Sequence, residues 1–255
     1  MHLTALEAAL VGGLLMCAHS AAAQPAPATP APDPSRKWEI TDNSFLVEEA
    51  FNQERGVFQN IFTWTRSRDG EWAASFTQEW PAPGMTHQFS YTVPFARVGT
   101  HRGLNDVLLN YRYQLLREGE GRPAIAPRLS VILPTGNERD GLGADVVGLQ
   151  AMVPVSKQFG DLYLHGDVGW TWLPGVERVP LVAASGIWRV TPMFNLMLEG
   201  LVAVDDAATI SPGFRRGWNF GDRQLVIGAA VPVTRSGGST SAALLTYFSY
   251  ELPFR

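Results

Sequence analysis

Strict alternation of apolar and polar residues, repeated from residue 57 onward, limits what this chain can fold into more than any other feature. It is plainest in FTWTRSRDGEWAASFTQEW, residues 62–80. Trp72, Ala74, Phe76 and Trp80 share one parity; Glu71, Ala73, Ser75, Thr77 and Glu79 share the other. Successive side chains leave a strand on opposite faces, so a period of two marks a strand with two unlike faces. A two-residue loop at Asp69 and Gly70 would set Trp64 opposite Ser75 and mix those faces. A three-residue loop, Arg68, Asp69 and Gly70, with the glycine left-handed, instead opposes Ser67 to Glu71. Trp64 then faces Ala74, Phe62 faces Phe76, Asn60 faces Gln78 and Phe58 faces Trp80, and both faces sort.

The same period recurs in HQFSYTVPF, DVLLNYRYQLL, IAPRLSVIL, VVGLQAMVPV, LYLHGDVGWTW, FNLMLEGLVAV, QLVIGAAVPV and LLTYFSYELPF. PLVAASGIWRV is apolar on both parities, and GFRRGWNFG is a short candidate. Together these predict about twelve antiparallel strands, a number in the range of outer-membrane barrels. Counting back from the C-terminus, the longer connections fall at 234–241, 205–211, 173–179, 134–143 and 96–103, and the shorter turns lie between them. The short Arg68–Gly70 loop is the exception on the long-loop side.

Alternation alone does not say which face is wet. In a soluble sandwich the apolar face would be core; in a membrane barrel it would face lipid. Trp72 and Trp80 stand eight residues apart on one face. With the tilt of barrel strands this is about 20 Å along the membrane normal, close to the height of an apolar band edged by aromatic girdles. The opposite faces carry Ala, Ser, Thr and Gly with few charges, which suits a lumen. The expected fold is therefore all-β: a single up-and-down transmembrane barrel over residues 57–255.

The N-terminus supports export. ALVGGLLMCAHSAAAQ reads as a signal peptide over residues 1–23, cut after Ala23, although Glu7 rather than a basic residue precedes the apolar run. Met16 before Cys17 does not fit a lipobox. Cys17 is the single cysteine, so the mature chain has no thiol for a disulfide, a nucleophile or a metal. Residues 24–37 form a Pro/Ala-rich spacer. Residues 38–56 are either a periplasmic segment or a lumen plug, and within them 44–55 read as either a short helix, with Ser44 its candidate N-cap, or an N-terminal strand. After the signal region no apolar run approaches the ~20 residues of a membrane helix. The net charge of −4 and the absence of a basic patch with interleaved aromatics argue against nucleic acid as a partner.

Phrases resemble a family as well as periods. NSFLVEEAFNQERGVFQNIF, SFTQEWPAPGMTHQFSYTVPF, DVLLNYRYQLL and PRLSVILPTGN look like the bacterial outer-membrane family named for a meta-cleavage pathway of phenol degradation, whose members are described as transporters. The resemblance runs from about Asn43 to the last strand. It implies an outer-membrane barrel that passes small, often apolar compounds, and it brings no catalytic motif. It also implies an aromatic terminal residue read by the barrel-assembly machinery; here Phe254 is followed by Arg255.

Enzymatic readings find little purchase. After the signal region the histidines are His87, His101 and His165. His87 and Ser90 have opposite parity, and no Gly-x-Ser-x-Gly elbow is present. His165 and Asp167 share a face, within reach of a hydrogen bond, without a neighbouring serine in sequence. No histidine pair has ligand spacing, and PTGNERDGLGAD lacks the regular acidic spacing of a calcium loop. Neither a metal nor another cofactor is expected. The polar parity nominates a lumen lining: Glu71, Glu79, Asp106, Asn110, Arg112, Gln114, Arg128, Gln150, His165, Asp167, Glu199 and Glu251. Charges of both signs there either pair and plug the barrel or line a narrow path. The expectation is a passive channel for small, apolar or aromatic molecules in the outer-membrane lipid. Its alternatives are a plugged structural or interaction barrel and a wall-facing hydrolase.

Overall fold

The computed structural model describes residues 39–40, 42–175, 179–203 and 207–254; the expected signal peptide and spacer lie outside these. Fifteen strand segments form one antiparallel sheet: β1 (Val57–Ser67), β2 (Trp72–Pro81), β3 (His87–Val98), β4 (His101–Leu104), β5 (Val107–Tyr113), β6 (Ala124–Ile125), β7 (Arg128–Leu133), β8 (Gly148–Phe159), β9 (Leu162–Trp172), β10 (Val179–Thr191), β11 (Phe194–Ala203), β12 (Ala208–Phe220), β13 (Arg223–Ala230), β14 (Val233–Ser236) and β15 (Ser239–Pro253). β1 pairs with β15 over eleven residues, from Val57 with Pro253 to Ser67 with Ala243, and closes the sheet. The segments β4 and β5, β6 and β7, and β13 and β14 are each one wall strand with a break, so the barrel has twelve strands. Pro127 and Pro232 stand at two of the breaks, where a residue without an N–H cannot continue the ladder.

The first hairpin has the register that alternation requires. Phe62 faces Phe76, Trp64 faces Ala74 and Asn60 faces Gln78. The Ser67 N–H donates to the Glu71 carbonyl at 3.0 Å, and Gly70 takes φ +96°, which favours glycine. Asp69 caps this turn by accepting from the Ser67 hydroxyl and the Glu71 N–H, and those bonds hold its carboxyl below the usual range. Several sequence expectations change. The long connections expected at 96–103 and 234–241 are strand apart from tight turns at 99–100 and 237–238. GFRRGWNFG is part of a thirteen-residue wall strand, β12, rather than a short one. Residues 44–55, open in the sequence between a short helix and a strand, form neither, and Ser44 caps nothing: its hydroxyl meets that of Ser185 at 3.0 Å.

The distribution of exposure is inside out. Leu109, Val168, Leu198 and Ile210 are 49 to 60% exposed, while Glu199, Arg215 and Asp167 are at most 3% exposed. Charged side chains are almost never buried in a soluble core unless paired, and a continuous belt of exposed large apolar residues marks a surface that meets something other than water. Rings edge this belt. Phe58 lies 4.2 Å from Phe254 and 6.1 Å from Trp80 at the end where β1 begins and β15 finishes. Trp72 and Trp172 stand toward the other end.

Candidate functional site: the barrel interior

The interior is occupied by the chain's own N-terminal segment. Residues 42–53 have neither helix nor strand, so their backbone groups have no ladder to join. Buried backbone groups left unpaired are costly, and here wall side chains take the place of a neighbouring strand. The N–H groups of Leu46 and Val47 donate to Glu199 Oε1 at 2.8 and 3.2 Å, and that of Glu48 to Asp167 Oδ2 at 2.7 Å. Ala50 N–H donates to Ser156 Oγ at 2.8 Å and Asn52 N–H to Gln114 Oε1 at 3.1 Å. Gln53 N–H donates to Gln88 Oε1, and Gln88 Nε2 donates on to Glu79 at 2.8 Å. From the wall, Arg215 donates to the carbonyls of Asp42 and Asn43, Arg112 to that of Phe51, and Gln114 to that of Ala50. These partners sit on β3, β5, β8, β9, β11 and β12, with Gln114 just past the end of β5, so the segment crosses from one wall to the other.

One charge cluster fastens the middle of the segment. Glu48 is clasped by Arg128, through both Nε and Nη2, and by Arg112 Nη2 at 3.0 Å. Arg128 also donates to Asn110 Oδ1 at 3.1 Å and to Gln150 Oε1 at 2.7 Å. Burial pushes the Glu48 carboxyl up, but the Arg128 and Arg112 guanidiniums outweigh it and hold the group at about 2. An acid held below its ordinary value stabilises the docked state fully above that ordinary value and loses the contribution as pH falls through the lowered one. Docking through Glu48 should therefore persist from about pH 7 to about pH 4.5 and fail only as pH approaches about 2. Bilayer currents recorded across that range are expected to stay flat and then rise.

Apolar packing holds the start of the segment. Ile40 and Phe45 join Ile61, Ile187, Val226, Leu245 and Tyr247 in one buried cluster, with the Phe45 and Tyr247 rings 4.8 Å apart. Tyr247 Oη donates to Asp42 Oδ1 at 2.6 Å. Gly228 makes room for this: a Cβ there would stand 2.2 Å from the Phe45 ring. Toward the end away from the start of β1 the interior turns apolar and hydroxylic, with Leu108, Ile132 and Leu173 packed against Ala144 and Val146 of the 134–147 connection, and the hydroxyl of Thr63 bonded to that of Ser75 and of Thr209 to that of Thr234.

Of the twelve lining candidates, Glu79, Asn110, Arg112, Gln114, Gln150, His165, Asp167 and Glu199 are buried in the interior, and Arg128 is half-buried beside them. Glu251 is half-buried beside Gln59 on the neighbouring strand. Glu71 is not in the interior: it lies in the turn before β2, where its Oε1 accepts from the Gly99 N–H at 3.2 Å. Asp106 faces inward but fastens a loop, accepting from Gly136 N–H at 3.0 Å and Ala144 N–H at 2.8 Å. Sequence reasoning missed Arg215, Glu48 and Glu49. For Arg215 a signal existed, since Arg215, Gly217 and Asn219 alternate with Phe214, Arg216, Trp218 and Phe220.

His165 does not meet Asp167. Pairing of β8 with β9 sets it opposite Ser156, whose Oγ lies 2.7 Å from His165 Nδ1, and Glu49 Oε1 lies 3.7 Å from the other ring nitrogen. The trio has the order of a hydrolytic triad without its chemistry. Ser156 has no exposed surface, and its oxygen already accepts from Ala50 N–H, so the group anchors the segment. His87, the other histidine weighed for hydrolysis, faces outward with Nδ1 2.6 Å from Tyr111 Oη, while Ser90 is buried inside.

A closed barrel, apolar outside and polar within, is a membrane-spanning β-barrel of the outer-membrane type. Among solved structures it is similar to an outer membrane channel from Pseudomonas putida F1, at 14% identity and a TM-score of 0.59 over 80% of this chain and 98% of that one. That likeness shows the fold. A bacterial polysaccharide outer membrane secretin, at 11% identity and TM-score 0.43, covers 80% of this chain and 100% of its own. A mutant porin of Rhodopseudomonas blastica, at 6% and 0.24, covers 77% and 99%. The sequence matches no protein-family profile and no curated protein.

Proposed function

We propose that the protein is an outer-membrane channel for small molecules whose conducting path is closed by its own segment 42–53. The observation that carries this is the way the segment is held. Side chains and one charge cluster bind it, not a continuous strand ladder, so it can leave without dismantling the wall. The apolar and hydroxylic interior beyond it supports small, weakly polar or aromatic permeants, as does the resemblance to the phenol-pathway family. A barrel that stays plugged and serves only through its loops is the rival, and the density of bonds to the segment favours that rival at rest.

Gly228→Ala tests the proposal without touching a charge. The added methyl collides with Phe45 and should lift the segment's apolar anchor. Proteoliposomes carrying the variant are expected to pass small phenolic solutes on the order of tenfold faster than those carrying the native protein. Equal, negligible rates for both, with the segment shown to be displaced, would favour the plugged barrel.

A further inference from the structure

We propose that the outer wall of β1 to β4, at the end opposite the start of β1, binds the phosphate groups of a phosphorylated glycolipid in the surrounding leaflet. Register places Arg66 beside Trp72, Trp72 beside Arg97, and Arg97 beside Arg102, so one level of the wall reads Arg, Trp, Arg, Arg across four adjacent strands. All three arginines are exposed and share the parity of the lipid-facing residues. The next level toward the membrane centre reads Trp64, Ala74, Phe95 and Leu104, and the one after it Phe62, Phe76 and Val93. A cationic row thus caps two apolar rows, matching an amphiphile whose acyl chains lie on the wall beneath an anionic head.

Strand spacing puts neighbouring members of the row about 5 Å apart at the backbone, so the three side chains can converge on one phosphate or bridge two. Arg97 and Arg102 stand directly opposite each other, an arrangement that repels unless an anion lies between them. The nearby acids do not relieve it. Glu71 accepts from the Gly99 N–H, Asp69 from Ser67 and the Glu71 N–H, and Asp140 lies 2.9 Å from His101. Among the described residues none of the three arginines is in an ion pair; Arg97 Nε donates to the Gly99 carbonyl at 3.1 Å.

The test is native mass spectrometry of the full chain in detergent, titrated with bisphosphorylated lipid A, with the same lipid stripped of phosphate, and with inorganic phosphate. The native protein should retain the phosphorylated lipid, and the triple variant Arg66→Gln, Arg97→Gln, Arg102→Gln should retain about tenfold less. Triple lysine replacement should restore part of the loss, because an ammonium binds phosphate as a point charge without the bidentate guanidinium fork. A heat-modifiable gel shift checks that each variant is folded; should the triple variant fail it, Arg97→Gln alone must weaken retention. Equal retention by native and glutamine variants, equal retention of the dephosphorylated lipid, or displacement by inorganic phosphate at comparable concentration would each overturn the proposal.

Discussion

Deleting residues 39–53 is expected to convert a nearly silent barrel into one that conducts steadily in a planar bilayer, with mean current rising on the order of tenfold or more. The wall should survive the deletion. Closure depends on the β1 and β15 pairing from Val57 to Ser67, which begins after the deleted stretch, and on ladders that the segment does not join. What the deletion strands is mostly polar: Glu199, Asp167, Ser156, Gln114 and Gln88 lose their N–H donors, and Arg112, Arg128 and Arg215 lose acceptors, while Ile61, Ile187, Val226, Leu245 and Tyr247 lose their packing against Ile40 and Phe45. In a sealed core that would be ruinous. In a lumen open at both ends water replaces each partner, which is why a folded, conducting product is expected. A heat-modifiable band with no current would mean that the wall side chains close the path among themselves.

How much of this was legible before the fold was known differs by part. The wall was legible because a two-sided strand must alternate, and because a one-residue slip at the first hairpin would expose every apolar side chain to the wrong medium. Arg112, Glu199 and Asp167 followed from the same parity. The segment's path was not legible. Residues 39–53 have no period, since their bonds run to side chains scattered over six strands rather than to one neighbour, and nothing local favours the lumen over the periplasm. Ser156 was invisible for a related reason: it meets His165 through pairing across the β8 and β9 turn, not through sequence adjacency. Glu71 was misplaced because parity continues past the last ladder residue into a turn, where it no longer determines facing. Asp106 kept its face but was claimed by a loop.

Glu48→Gln should lower the stability of the docked segment by about 3 kcal/mol, and Arg128→Gln by a similar amount. The reason lies in what each change leaves behind. Loss of the Glu48 charge leaves Arg112, 4% exposed along its side chain, and Arg128, 11% exposed, facing each other across strands β5 and β7 without their shared anion. Loss of Arg128 leaves Glu48 with Arg112 alone and also removes the guanidinium's bonds to Asn110 and Gln150. Glu48 itself is about a quarter exposed, which lets water soften the penalty and places the expectation at the low end for a broken buried pair. The double variant should cost clearly less than the two singles together, because the second change removes a group that the first had already orphaned. Segment release can be read as the midpoint of current onset in rising urea at fixed voltage. Additive costs would mean that Glu48 and Arg128 act independently, and the backbone bonds to Glu199, Asp167 and Ser156 would then be the principal restraint on the segment.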